Sequence, residues 1–140
     1  MSDFETLTGG CQCGAVRYEV RTPATDLYHC HCAMCRKVHG ASFGTYAVAP
    51  KEAVVITQGE ENLTRFDSSQ GVSRLFCKTC GCQLFNNLER DTTRRWFTPG
   101  TLDGGAHPGA ADRERHEYVD SKLPWLHLDD KLPRLPDPPA

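Results

Sequence analysis

Apolar and polar positions alternate along this chain in short runs. AVRYEV (15–20) alternates and is rich in β-forming residues, which predicts a strand, and DLYHCHC (26–32) reads as a second. Cys35 to Gly40 has room for one helical turn, with Gly40 as its stop. SFGTYAVAP (42–50), AVVITQG (53–59), NLTRFD (62–67), GVSRLFC (71–77), QLFNNLE (83–89) and RRWFTPGTL (94–102) follow. Each is bounded by Gly, Pro or acidic residues, and this pitch predicts antiparallel β-hairpins. Gly9-Gly10 reads as a turn, and residues 103–115, rich in Gly and charge, read as a surface loop. EYVDSKLPWLHL (117–128) returns to extended character. The segment 132–140 carries four prolines and cannot be helical, so it is either a docked strap or a frayed end. The expected division is one domain over 1–131 with a proline-rich C-terminal tail over 132–140.

Composition narrows the function classes. A length of 140 residues with 39% hydrophobic and 24% charged positions belongs to an ordinary globular domain. The formal charge of −2, with Lys and Arg scattered, gives no positive face for nucleic acid. The polar start MSDFETLTGG lacks the basic and apolar regions of a signal peptide. No run approaches the roughly 20 apolar residues of a membrane helix. The expectation is a cytoplasmic protein with no membrane or nucleic-acid partner, in which thiols stay reduced. Under those conditions clustered cysteines more often hold metal than disulfides.

The eight cysteines fall into three tight groups. GGCQCGAV carries Cys11 and Cys13, HCHCAMCRK carries Cys30, Cys32 and Cys35, and FCKTCGCQLF carries Cys77, Cys80 and Cys82. Alternate residues of an extended segment face the same way, so each C-x-C can offer two sulfurs to one ion. Zinc is the default ion for such thiolates, while the ferredoxin-type spacings of iron–sulfur sites are absent. Spacing alone leaves the division into sites open. One division makes chemical sense: Cys11, Cys13, Cys77 and Cys80 would form a saturated, structural site. Cys30, Cys32 and Cys35 would then hold a second ion with one position open, as catalytic zinc sites do.

These three ordered groups, the C-H-C-x-x-C-R-K run and the closing HEYVDSKLPWLHLDDKLP resemble the glutathione-dependent formaldehyde-activating enzyme family. That family also includes centromere protein V-type proteins. The resemblance spans nearly the whole chain. It implies a mainly β, antiparallel fold of the Mss4-like type organised around zinc–cysteine sites. It implies two zinc ions per chain, partitioned as above, with the second site partial or labile if it is left open. It also implies a carbon–sulfur lyase that joins glutathione, or a similar thiol, to formaldehyde or another small aldehyde. In that chemistry the free thiol, with a pKa near 8.5, is a poor nucleophile at neutral pH until a metal stabilises its thiolate.

Other residues have weaker claims. His31 lies between two ligand cysteines and should face away from them, and His29 shares its parity. His39 follows Cys35 by four residues and would overlook the site if that turn is helical. Arg36 matches the resemblance and would either balance thiolate charge or sit in a solvated turn. His107, His116 and His127 carry no motif and read as surface or hairpin residues. Trp96 and Phe97 read as core, and Trp125 as core or as a wall of the site. Cys82 is the odd cysteine: a fourth ligand or redox partner for the middle group, a ligand exchanging within the first site, or a small buried apolar side chain. Two further classes therefore stay open, a non-catalytic zinc-stabilised β binding module and a thiol- or redox-sensing zinc protein. Unpaired edge strands would permit a homodimer.

Overall fold

The computed structural model describes residues 4–139, and the chain is mainly β. Among the described residues ten strands form two sheets. The smaller has the order β1-β2-β5, built from β1 (Leu7–Gly10), β2 (Arg17–Val20) and β5 (Val54–Gln58). The larger contains β3 (Asp26–Cys30), β4 (Gly44–Pro50), β6 (Leu63–Ser69), β7 (Val72–Cys77), β8 (Gln83–Leu88), β9 (Asp91–Phe97) and β10 (Glu114–Glu117). Its order is β10-β3-β4-β9-β8-β7-β6, and all its pairs are antiparallel except β10 with β3. The expected hairpins are there. The parallel edge is new, because β10 comes back to β3 from far along the chain rather than through a tight turn.

Strand periodicity separates the two faces of the large sheet. On β4, Ala47 and Ala49 join one core while Tyr46 and Val48 join the other. On β9, Phe97 and Trp96 divide in the same way. The first core lies between the sheets, with Tyr18, Val20 and Val54 of the small sheet, and Val16 just before β2, meeting Leu84, Phe85 and Phe97 of the large one. Tyr18 is edge-on to Phe85 at 5.2 Å and to Phe97 at 6.0 Å, a favoured aromatic geometry. The second core gathers Tyr46, Val48, Leu88 and Trp96 around Cys30 and Cys35.

Three local readings change. Gly9 and Gly10 end β1 instead of turning, because a Cβ at Gly9 would stand 2.8 Å from Tyr18 and from the Thr101 carbonyl. Strand character in EYVDSKLPWLHL stops at Glu117. Tyr118 takes a left-handed backbone (φ 58°), which no strand accommodates, and a short 3-10 turn over Val119–Ser121 follows. Trp125 is 68% exposed and neither fills a core nor walls a site. The expected loop over 103–115 holds two 3-10 turns and the first residues of β10. Trp96 and Phe97 are core, as expected. Among the described residues no helix is long and apolar enough to cross a membrane.

The proline-rich segment is a docked strap. The His116 N–H donates to the Pro133 carbonyl, and the Leu135 N–H donates to the His116 carbonyl, both at 2.9 Å. The Val119 N–H donates to the Leu135 carbonyl at 3.1 Å, and the Ser121 hydroxyl to Asp137 at 2.6 Å. Such bonds contribute about 1 kcal/mol each. Deleting residues 132–140 is therefore expected to lower the unfolding free energy by about 2–4 kcal/mol. Urea denaturation checks this, and an unchanged midpoint would mean that the strap holds nothing.

Candidate metal centres and active site

The strand ends bring the cysteines together in two groups. Cys11, which follows β1, and Cys13 meet Cys77, at the end of β7, and Cys80 in the β7–β8 turn. The four sulfurs all lie within 4.8 Å of one another. Cys13 Sγ is 3.6 Å from Cys11 Sγ and 3.7 Å from Cys77 Sγ. Cys11 accepts the Val16 N–H, and Cys77 accepts the Asn62 side-chain amide at 3.1 Å. Backbone N–H groups of Cys80 and Thr79 draw the Cys77 thiol down to about 6. The cluster thus contains a ready thiolate, the form in which cysteine binds metal.

Cys30, Cys32 and Cys35 form the second group, again with sulfurs within 4.8 Å. Local physics builds it. Cys30 ends β3, and Cys32 caps the helix α1 (Ala33–His39), its sulfur accepting the Cys35 N–H at 3.3 Å. Capping folds the Cys32 side chain back over the first turn, where Cys35 already points. Gly44 lets that turn sit tight on β4, since a Cβ there would meet the His39 ring at 2.7 Å and Cys35 Cβ at 3.3 Å. The sulfurs of Cys30 and Cys35, aided by backbone N–H groups, pull the Cys32 thiol far down, while the Cys30 thiol is pushed up against its two neighbours. Each group could hold a metal ion.

The second group opens on a cavity of about 660 Å³. All three cysteines line it, with Tyr28, Tyr46, Arg74, Tyr118 and Pro138 of the strap among its walls. Arg74 is the residue that sequence reasoning missed. It is 4% exposed and forms no ion pair with a carboxylate among the described residues. Its Nη1 donates to the Tyr46 hydroxyl at 2.6 Å, its Nε to the Ser68 hydroxyl at 2.9 Å, and its Nη2 faces Cys35 Sγ at 3.8 Å. A buried guanidinium is costly without a counter-charge, and the Cys35 sulfur within its reach would supply one when ionised. Strand alternation offered no signal for it: Arg74 and Cys77 are three residues apart on β7 and face opposite sides of the sheet.

The other candidates fall outside the cavity wall. His39 turns its Nε2 to the Tyr46 hydroxyl at 2.5 Å and lies behind that ring, its pKa lowered by burial and then by Arg74. Arg36 donates to the His31 carbonyl at 3.2 Å. His31 is fully buried on the face away from the cysteines, and burial, then His116, holds it down at about 4. His116 is 2% exposed, against the surface position expected of it. It bridges His31 (2.8 Å) and Asp130 (2.9 Å), because β10 tucks beside β3 and the strap covers it. His29 sits between Thr45 and Glu114. Cys82 joins neither group. The Cys77 N–H bonds to the Cys82 carbonyl, which starts the return strand, and the Cys82 side chain packs on the core between the sheets. Burial raises its pKa.

Fold and site together define a two-sheet β protein with a four-cysteine cluster and a three-cysteine cluster on a cavity. The chain belongs to the glutathione-dependent formaldehyde-activating enzyme family, which it matches over residues 6–121. A Penicillium rubens protein that carries the family's name is 27% identical over 131 residues, covering 77% of this chain and 69% of its own. The crystal structure of a Rhodobacter sphaeroides protein superposes with a TM-score of 0.60 at 27% identity, over 72% of this chain and 91% of that one.

Two substitutions separate the roles of neighbouring cysteines. Cys80→Ser should lower bound metal by about one ion per chain and destabilise the fold, since structural metal binding is folding free energy. Cys82→Ser should leave metal content unchanged, as measured by mass spectrometry of the native protein. Loss of metal in Cys82→Ser would make Cys82 a ligand.

Proposed function

We propose that this protein is a zinc-dependent carbon–sulfur lyase-type enzyme that condenses a thiol, glutathione or a relative of it, with formaldehyde or another small aldehyde at Cys30, Cys32 and Cys35. The observation that carries the reading is a three-sulfur cluster opening on a cavity whose wall contains a buried arginine with no carboxylate partner. The donor sets suit zinc. A Zn–S bond near 2.3 Å places tetrahedral sulfurs about 3.8 Å apart. The separations of 3.6 and 3.7 Å in the first cluster are close to that. Four sulfurs suit a structural ion there, and three leave a coordination position for an exogenous thiol. When bound at the second cluster, zinc would hold the substrate sulfur as thiolate at neutral pH.

The chain's own groups do the rest. Cys30, Cys32 and Cys35 bring negative charge into a buried place, and Arg74 supplies the compensating positive charge beside Cys35. That compensation lets a further thiolate approach without an unbalanced buried charge. Tyr46 and Ser68 fix the guanidinium plane. Tyr28 and Tyr118 wall the cavity and limit water around a small aldehyde. In the condensation the sulfur–carbon bond forms, the carbonyl π pair moves to oxygen, and that oxygen takes up the proton the thiol has given up.

Cys32→Ser is expected to lose one zinc and to return condensation to the uncatalysed rate, read as the loss of free thiol on aldehyde addition. Unchanged condensation after that loss would sink the mechanism. Bonds from a charged donor contribute about 1.5–3 kcal/mol. Arg74→Gln should accordingly slow condensation by roughly 10- to 100-fold with both zinc ions retained.

A further inference from the structure

Beside the cysteine cavity lies a second hollow of about 320 Å³, and the two share Tyr28, Arg90 and Glu117 in their walls. The second hollow is lined by four arginines, Arg90, Arg94, Arg113 and Arg115. Three of them converge on one buried carboxylate. Asp26 accepts from Arg94 at 3.3 Å, Arg113 at 3.2 Å and Arg115 at 3.1 Å. Arg94 also holds Asp91 at 2.7 Å, and Arg115 holds Glu117 at 2.8 Å. Aromatic faces steady two of these guanidiniums, Arg94 over Trp96 and Arg115 over Tyr28.

Charge counting singles out one residue. Four guanidiniums meet three carboxylates, Asp26, Asp91 and Glu117, which leaves one positive charge over. Arg90 carries it, since it forms no ion pair among the described residues and is exposed at the junction of the two hollows. Arg90 lines the cysteine cavity together with Cys30, Cys32 and Tyr118. A free guanidinium fork is therefore close to the cysteine cluster, at the edge of a groove whose other arginines are already held in place. A carboxylate is what such a fork recognises best, two oxygens to two N–H groups.

We infer that the arginine-lined hollow is a carboxylate subsite continuous with the thiol cavity, and that Arg90 selects thiols bearing a carboxylate over neutral ones. The remaining donors of Arg94, Arg113 and Arg115 complete the anion pocket, and Asp26 keeps those three from collapsing outward. The inference rests on the proposed thiol chemistry for its consequence, but the subsite can be tested apart from it. Arg90 is exposed, so its replacement leaves both cores intact.

The probes are glutathione, 2-mercaptoethanol and S-methylglutathione, used with the zinc-loaded protein. Arg90→Gln is expected to raise the KM for glutathione by roughly tenfold and to leave that for 2-mercaptoethanol within about twofold, the size of one charge-assisted contact. Arg90→Lys should restore part of the loss, since the charge remains without the fork. Calorimetry with S-methylglutathione, which has the carboxylates but no free thiol, should show the same loss of affinity in Arg90→Gln. Equal KM shifts for both thiols, or S-methylglutathione binding that ignores Arg90, would overturn the subsite. A protein that binds S-methylglutathione through Arg90 yet accelerates no condensation would keep the subsite and refute the lyase reading instead.

Discussion

Everything in this molecule depends on the alternation of side chains across its seven-stranded sheet. Because successive residues of β4 and β9 face opposite ways, one sheet serves two cores at once. The core between the sheets takes in Cys11 and Cys77, and the other takes in Cys30 and Cys35. The two cysteine clusters are thus kept on different cores by geometry that no single residue controls. A one-residue slip of β4 would exchange Tyr46 and Ala47 between faces and would place a large ring where Tyr18 and Phe97 now pack.

The two clusters then differ in chemical surroundings rather than in ligand type. The first draws hydrogen bonds from neutral groups, the Val16 amide and the Asn62 side chain, and ties distant strand ends together. The second stands next to a buried cation and an opening. The chain Cys35–Arg74–Tyr46–His39 links the helix, β7 and β4 through polar contacts inside an otherwise apolar core. Such a network is costly to bury if any member lacks its partner, which favours a state in which the sulfurs carry negative charge.

Much of this was legible in the residues. The strands β2 to β8 and the helix stop at Gly40 follow from alternation and punctuation, and the grouping of seven cysteines follows from C-x-C and C-x-x-C spacing joined to a family resemblance. What escaped reading is non-local. Arg74 is one basic residue in one strand, and only the fold reveals that it lies opposite Cys35. His116 has no motif, and its burial comes from parallel pairing between β10 and β3, segments far apart in the chain. Trp125 was misread because an aromatic residue in an apolar run usually marks a core, whereas here the run ends in a turn and an exposed loop. Gly9 and Gly10 were misread because glycine punctuates turns as often as it relieves crowding within a strand.

The docked strap has a bearing on the order in which the two cysteine clusters take shape. All four cysteines of the first cluster lie within the first 80 residues, as does much of the core between the sheets. The second cavity waits for chain made much later, since Tyr118 and Pro138 form part of its wall and β10 must first settle beside β3. A nascent chain therefore holds all the cysteines of its first cluster before the wall of its second cavity exists. Three clustered thiols remain in an unfinished pocket during that interval, and only the arrival of the downstream segment encloses them.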